Sequence, residues 1–333
     1  MGDRSGAFDV VAVGSALVDK VVKVEDHELA ATGLPRATMT LIDADEAARL
    51  WDVGQGLHVA GGSAANTAVG AAALGARTAF VGRVGDDELG RNFVEDLRRA
   101  GVAFESPPAP FDAETGRCIV FVTPDGERTM RTHLGAAPHL GVDCLDESLV
   151  QGAGIVYLEG YLWDAPSAAE AVEHALRLGR ANGAELALSL SDPGCVERHH
   201  DELAELVLGG GVDIVFGNEA EITALAGTDD FEEAAAIVRG RVGTAALTRG
   251  PAGSVVVTAD EVVAVPAHPV RRVVDTTGAG DLYAAGFLAG RRRGMAPAAC
   301  ARLGGLAAAD VISALGARPH DDLRRLAGEA GLL

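Results

Sequence analysis

Strand-length apolar runs alternate with helix-length segments along most of this chain, and that alternation restricts the fold more than any other feature of the sequence. Residues 8–14 are apolar except for Asp9, and comparable runs recur at 78–82, 155–158, 186–190, 214–216 and 245–247. Between them lie segments of helical period such as 64–74, 167–180 and 231–239. Runs that stay apolar instead of alternating suit strands covered on both faces, and strands separated by helices pair in parallel. The expected architecture is therefore α/β, a three-layer α/β/α sandwich around a mostly parallel central sheet.

Two regions depart from that pattern. Residues 118–122 and 129–133 flank Thr123-Pro124-Asp125-Gly126-Glu127, where Pro presets φ and Gly accepts a positive φ. This predicts an antiparallel hairpin outside the main sheet. With extended segments near 21–24 and 38–42 it would form a small β-sheet lid over the strand ends, built from segments of about 16–42 and 104–135 inserted in a single domain spanning 1–333. A second hairpin is expected at 255–257 and 262–265, followed by two largely apolar helices at 281–291 and 297–315.

Composition removes several function classes. Forty-eight acidic residues against 28 basic ones give a formal net charge of −20, a field that repels phosphate backbones and anionic lipid and so argues against nucleic-acid and membrane partners. The only lysines, Lys20 and Lys23, sit in neither a Walker frame nor a Val-Ala-Ile-Lys strand, which disfavours P-loop NTPases and protein kinases. No Gly-x-Gly-x-x-Gly opens a βαβ unit, and there is no Gly-x-Ser-x-Gly elbow or His-Glu-x-x-His helix. The four cysteines, Cys118, Cys144, Cys195 and Cys300, have no zinc or redox spacing and read as reduced packing residues of a cytoplasmic protein. Residues 57–76 carry no Asp, Glu, Lys or Arg, but Gly61, Gly62, Ser63, Asn66 and Thr67 make them a Gly-rich turn feeding a buried helix instead of a membrane span. Residues 1–6, with Asp3 and Arg4, lack the apolar stretch of a signal peptide.

The stretch carrying most chemistry is Asp275-Thr276-Thr277-Gly278-Ala279-Gly280-Asp281. A strand end runs through small residues into a helix, so unpaired amides and the positive helix end converge where an anion can sit. Asp281 stands beside that anion. Its carboxylate is expected to be ionised at neutral pH, with the helix start lowering it below the ordinary value of about 3.9. In isolation the pattern reads equally as a tight turn and a helix cap.

The motif is not isolated. With Gly61-Gly62-Ser63-Ala64-Ala65-Asn66-Thr67, Leu74-Gly75-Ala76 and Gly82-Arg83-Val84-Gly85-Asp86-Asp87-Glu88-Leu89-Gly90 in the same order, the chain resembles the ribokinase-like carbohydrate and nucleoside kinase family over nearly its whole length. The resemblance implies a ribokinase-like fold and an ATP-dependent phosphotransferase acting on a primary hydroxyl. Asp281 would be the base, with Gly278, Ala279 and Gly280 holding the transferring phosphoryl. Asn218-Glu219-Ala220-Glu221 matches the family's Asn-x-x-Glu element; on a helix Asn218 and Glu221 lie about 5–6 Å apart, and Glu221 would hold Mg²⁺ through water. Thr248, Arg249, Gly250 and Gly253 match the loop near the nucleotide phosphates. Asp275 and Thr277 correspond to positions that bind K⁺ in several relatives, with carbonyls near Gly316.

Asp19 follows the first strand at its carboxyl end, where open α/β sheets bind ligands. By resemblance it holds two sugar hydroxyls, with Gly62, Ser63 and Asn66 close to the same sugar. Within the family the segments 128–136 and 158–163 are most similar to bacterial adenosine kinases. Leu134, Ala136 and Tyr161 would then supply a wall for the base. Ser15 stands where many of those kinases carry Asn, so a sugar acceptor such as ribose or fructose stays open, as does a non-catalytic ligand-binding regulator. The expected partner is a small nucleoside or sugar, and the expected state a monomer or homodimer.

Overall fold

The computed structural model describes residues 7–36 and 38–333. Residues 1–6, expected to lack a signal peptide, and Ala37, inside the first expected lid segment, lie outside the described residues. In chain order the strands are β1 (Phe8–Val13), β2 (Leu17–Lys23), β3 (Met39–Leu41), β4 (Leu57–Gly61), β5 (Thr78–Val81), β6 (Val102–Ala103), β7 (Gly116–Val122), β8 (Arg128–His133), β9 (Ala153–Glu159), β10 (Glu185–Ser189), β11 (Ile214–Asn218), β12 (Thr244–Thr248), β13 (Ser254–Thr258) and β14 (Val262–Val265).

Nine strands form the central sheet in the order β14-β13-β12-β11-β10-β9-β1-β5-β6. Pairing is parallel from β12 to β6 and antiparallel where β13 meets β12 and β14. In β1, Val10, Val11, Ala12 and Val13 face Thr78, Ala79, Phe80 and Val81 on one side and Ile155, Val156, Tyr157 and Leu158 on the other. Both faces are buried, as the continuous apolar runs require. Val11, Val13, Val156 and Leu158 enter one core with Ala171 and Val172 of the helix Pro166–Ala181. Val10, Ala12, Ile155 and Tyr157 enter the other, with residues of the helices Ser63–Ala73 and Ala279–Arg292. Those two helices approach closely because their contact residues are small: a Cβ on Gly70 would lie 2.5 Å from Leu282 and 2.7 Å from Ala285. That approach brings their N-termini together.

The second sheet has the order β3-β8-β7-β2-β4. β7 and β8 form the expected hairpin, with Val122 opposite Arg128 and the Thr123 amide donating to Glu127 at 3.0 Å. β4 adds to the expected lid segments. Residues 57–61 read as a turn, yet they pair antiparallel with β2, Leu17 against Gly61 and Val21 against Leu57. Leu57 and His58 are exposed, so no local burial pattern marks the strand, and the ladder that forms it comes from a segment some forty positions earlier. One face of this sheet carries Val22, Ile119 and Phe121 against Leu29 and the helices Asp26–Ala31 and Ala44–Trp51. The other carries Val21, Cys118, Val120 and Val122. Lys20 is structural: its buried ammonium donates to the carbonyls of Trp51, Val53 and Gly54 at the negative end of the helix Ala44–Trp51.

The helix expected at 297–315 ends at Val311. The Ile312 carbonyl accepts the Val274 amide at 2.8 Å, which turns residues 312–317 into a loop beside the Gly278 turn. All four cysteines are buried and unbridged. No helix among the described residues is long and apolar enough to cross a membrane.

Candidate active site

Parallel strands deliver their carboxyl ends to one edge, and the expected site residues gather there. Ser15 follows β1, Glu159 ends β9, Asn218 ends β11 and Thr248 ends β12, the last two paired in register. Asp281 arrives from the opposite direction, on the first turn of the helix Ala279–Arg292. Gly278 caps that helix with φ 75°, a left-handed conformation, and a Cβ there would lie 2.7 Å from the Ala317 Cβ, so glycine is required on both counts. Gly280 is exposed, and a Cβ on it would meet nothing within 4 Å. Among the described residues the amides of Gly280 and Asp281 have no backbone partner. The result is an open cradle of N–H groups at a helix start, the arrangement an anionic phosphoryl group needs.

Asp281 is held on two sides. Ser63 Oγ donates to Oδ1 at 2.7 Å and Asn66 Nδ2 donates to Oδ2 at 2.9 Å, while Thr67 Oγ1 donates to the Asp281 carbonyl at 3.2 Å. Ser63 and Asn66, expected beside the sugar, thus position the carboxylate itself. Asn66 Oδ1 is buried with no hydrogen-bond partner, an acceptor ready for a ligand hydroxyl. The expected lowering of the Asp281 pKa is reversed. Burial pushes it above the ordinary value, against the opposing pull of Ser63, Asn66, Arg128 and Arg318. A helix start still favours the charged carboxylate, but here the cost of desolvation outweighs it.

Asp19 lies on β2 of the lid, 6% exposed, and burial raises its pKa to about 7, with Arg318 pulling it down and Asp281 and Asp275 pushing it up. A Cβ on Gly61 would come within 2.3 Å of its carboxyl group, so the first glycine of the pair makes room for Asp19. The second, Gly62, has φ 90°, and a Cβ there would lie 2.1 Å from the Ser15 carbonyl. Of the expected base wall, Ala136 is fully buried and offers no surface. Leu134 and Tyr161 keep partial exposure, but Tyr161 packs on the core and its hydroxyl, pushed well up by burial, lies beside Asp192.

Two residues at the site were not anticipated. Glu159 is fully buried and accepts the Ser15 amide at 2.7 Å and the Ala64 amide at 2.8 Å, with burial raising its pKa to about 7. An acid closing the apolar run 155–158 was its one sequence signal. Arg318 donates to the Ala60 carbonyl at 2.8 Å and the Ala65 carbonyl at 3.1 Å, and its charge acts on both Asp19 and Asp281. Nothing local in the sequence distinguishes it.

At the end of β11, Asn218 and Glu221 form a capping box. Asn218 Oδ1 accepts the Glu221 amide at 3.0 Å and Glu221 accepts the Asn218 amide at 3.0 Å. Glu221 is only 6% exposed, and burial raises its pKa to about 7, with Asp192 and Asp281 adding to the rise. Arg249 does not offer a free charge as expected. It pairs with Glu219 at 3.0 Å and Glu232 at 3.6 Å and lies 4.1 Å over the Phe231 ring, because these carboxylates flank the loop in space. Gly250 and Gly253 bound the turn after Thr248. Asp275, fully buried, accepts the Thr277 amide and hydroxyl at 2.9 and 2.6 Å and the Gly316 amide at 2.9 Å. It therefore ties the cradle to the loop 312–317. Among the described residues no three His, Cys, Asp or Glu side chains gather into a metal cage.

A cradle of amides beside a clamped carboxylate at the carboxyl edge of such a sheet defines a class of enzyme that moves an anionic group onto an alcohol. Residues 9–322 match the pfkB family carbohydrate kinase, and the chain belongs to that family; it is a kinase with a ribokinase-like fold. It resembles the adenosine kinase from Sinorhizobium meliloti at 44% identity and TM-score 0.93, over 97% of this chain and 99% of the other. It resembles a probable sugar kinase from Rhizobium etli CFN 42 at 42% identity and TM-score 0.94, over 98% and 100%. The adenosine kinase of Saccharomyces cerevisiae is 31% identical over 310 residues, 86% of this chain and 89% of the yeast protein. The chain spans 47% of the bifunctional ribokinase/ribose-5-phosphate isomerase A of Fructilactobacillus sanfranciscensis. The family implies ATP and a divalent metal in general.

Proposed function

We propose that this kinase transfers the γ-phosphoryl group of ATP to the 5′-hydroxyl of adenosine, yielding AMP and ADP. The observation that carries the reading is Asp281, clamped by Ser63 and Asn66 next to the unpartnered amides of Gly280 and Asp281. Asp281 accepts the hydroxyl proton as the acceptor oxygen bonds to phosphorus and the bond to the β-phosphate oxygen breaks. The amide cradle stabilises the charge spread over the transferring group. Asp19 and Asn66 Oδ1 receive the ribose hydroxyls, since a carboxylate offers about four acceptor positions. Asn218, Thr248, Gly250 and Gly253 border the nucleotide. Glu221 would hold a Mg²⁺ ion through water, and that ion would supply neutralisation of phosphate charge. The carboxylate of Asp275 is already occupied by Thr277 and Gly316, so a K⁺ ion at this position would act through the neighbouring carbonyls.

Similarity to the S. meliloti adenosine kinase supports the acceptor. A second reading, a sugar acceptor such as ribose or fructose, is favoured by the buried Ala136 and by the turn of Tyr161 toward Asp192, which leave the base without its expected aromatic wall. ADP release measured with Mg-ATP across adenosine, inosine, ribose, fructose and fructose 6-phosphate separates the two. The largest kcat/KM is expected for adenosine. A larger value for a sugar overturns the acceptor assignment, and no ADP release with any of the five overturns the transfer mechanism.

A further inference from the structure

The chain passes between the two sheets four times, and two of these crossings are short. Residues 14–16 lead from β1 into β2, and Gly62 leads from β4 into the helix Ser63–Ala73. Glu159 stands between them. It ends β9, a strand fixed in the central sheet with Glu159 in register with Ser189, and it is 0% exposed. Its Oε1 takes the Ser15 amide of the first crossing at 2.7 Å, and its Oε2 takes the Ala64 amide just after the second at 2.8 Å. A Cβ on Gly14 would lie 2.6 Å from Oε2 and 2.5 Å from the Ala64 Cβ, so the carboxylate fills the gap between the crossings.

We propose that Glu159 is a positioning residue that pins the two short crossings of the lid to the central sheet and so sets Asp19 in register with Asp281. The first crossing leads directly into the strand carrying Asp19. The second leads into the helix whose Ser63 and Asn66 clamp Asp281. One carboxylate thereby fixes the group that holds the acceptor relative to the group that deprotonates it. Arg318 spans the second crossing from the other side, through Ala60 and Ala65, but it reaches no atom of the first. A carboxyl group accepting from one buried and one partly buried amide is well suited to this, because leaving either amide unpaired is costly. Only the kinetic half of this inference rests on the kinase reading.

The test is Glu159→Gln, which keeps the shape but turns an NH₂ group against one of the two amides. Site-resolved amide hydrogen exchange on the full chain without nucleotide or acceptor should show Ser15 or Ala64 exchanging at least about tenfold faster, with Val156 and Leu188 of the central sheet unchanged. The acceptor KM should rise roughly 10–100-fold, the loss of one charge-assisted hydrogen bond, while the ATP KM stays within about twofold. Unchanged exchange at both amides overturns the proposal, as does faster exchange spread equally over β9 and β10, which marks mere loosening of the core. Should the variant not fold, the wild-type protein decides: Ser15 and Ala64 must exchange as slowly as β9, and exchange at the rate of free loop amides overturns the pin. Exchange needs no turnover, so failure of the kinase assay and failure of the pin remain distinguishable.

Discussion

The central sheet buries both faces under helices, whereas the lid sheet buries one face under Asp26–Ala31 and Ala44–Trp51 and turns the other, with Val21, Cys118, Val120 and Val122, toward the rest of the molecule. The proposed base Asp281 belongs to the first region and Asp19, proposed to hold the acceptor, to the second. A doubly covered sheet can rearrange only by disrupting two cores, while a small one-sided cluster can separate and re-form. On this reading the proposed base sits in the doubly covered region and the proposed acceptor ligand in the singly covered one.

Four experiments break or sharpen that contrast. Asp281→Asn should lower kcat by roughly 10²–10⁴ with the acceptor KM nearly constant; wild-type turnover would remove Asp281 from its role. Phe287 and Phe121 are each 1% exposed, one in the central core and one in the lid. Phe287→Ala should cost about 3–5 kcal/mol of global stability in denaturant unfolding. Phe121→Ala should instead expose the lid to proteolysis while the main transition moves less. Equal shifts in both variants would mean that the two sheets unfold as one unit.

Asp19→Ala should raise the acceptor KM roughly 10–100-fold with kcat far less affected. Its titration gives a second readout. Burial raises the folded pKa to about 7, above the unfolded value of about 3.9, so the folded state holds more protons across that window. The ligand-free protein should therefore lose stability as pH rises from about 4 to 7. Glu159 and Glu221, also raised to about 7 by burial, act in the same direction. Asp19→Asn should flatten the slope of melting temperature against pH, and an unaltered slope would show that Asp19 is not the group titrating. The smallest effect is expected for Arg249→Ala. Its charge is already paired at the surface, so the ATP KM should change by less than about threefold; a larger change would return Arg249 to the phosphates.

How far each part of the site was legible follows from the range of the interactions involved. The Gly278-Ala279-Gly280-Asp281 cradle is a local object, a turn and a helix start adjacent in the chain, and it reads directly from the residues. β4 was invisible because an exposed edge strand has no burial pattern of its own; only pairing with β2 makes it a strand. Arg249 carried the charge expected of a phosphate ligand, but its partner Glu219 opens the helix Glu219–Ala226, thirty positions away.

The sequence by itself determined the layered α/β architecture, the hairpin and the turn that opens the helix Ala279–Arg292, because periodicity, turn residues and helix ends act over a few neighbouring positions. Tertiary structure alone decided that Ser63 and Asn66 grip Asp281 from 218 and 215 positions away, that Glu159 reaches both crossings, and that the Asp281 pKa is raised and not lowered. Desolvation and long-range hydrogen bonds depend on what the folded chain packs around a group, and no local pattern records that.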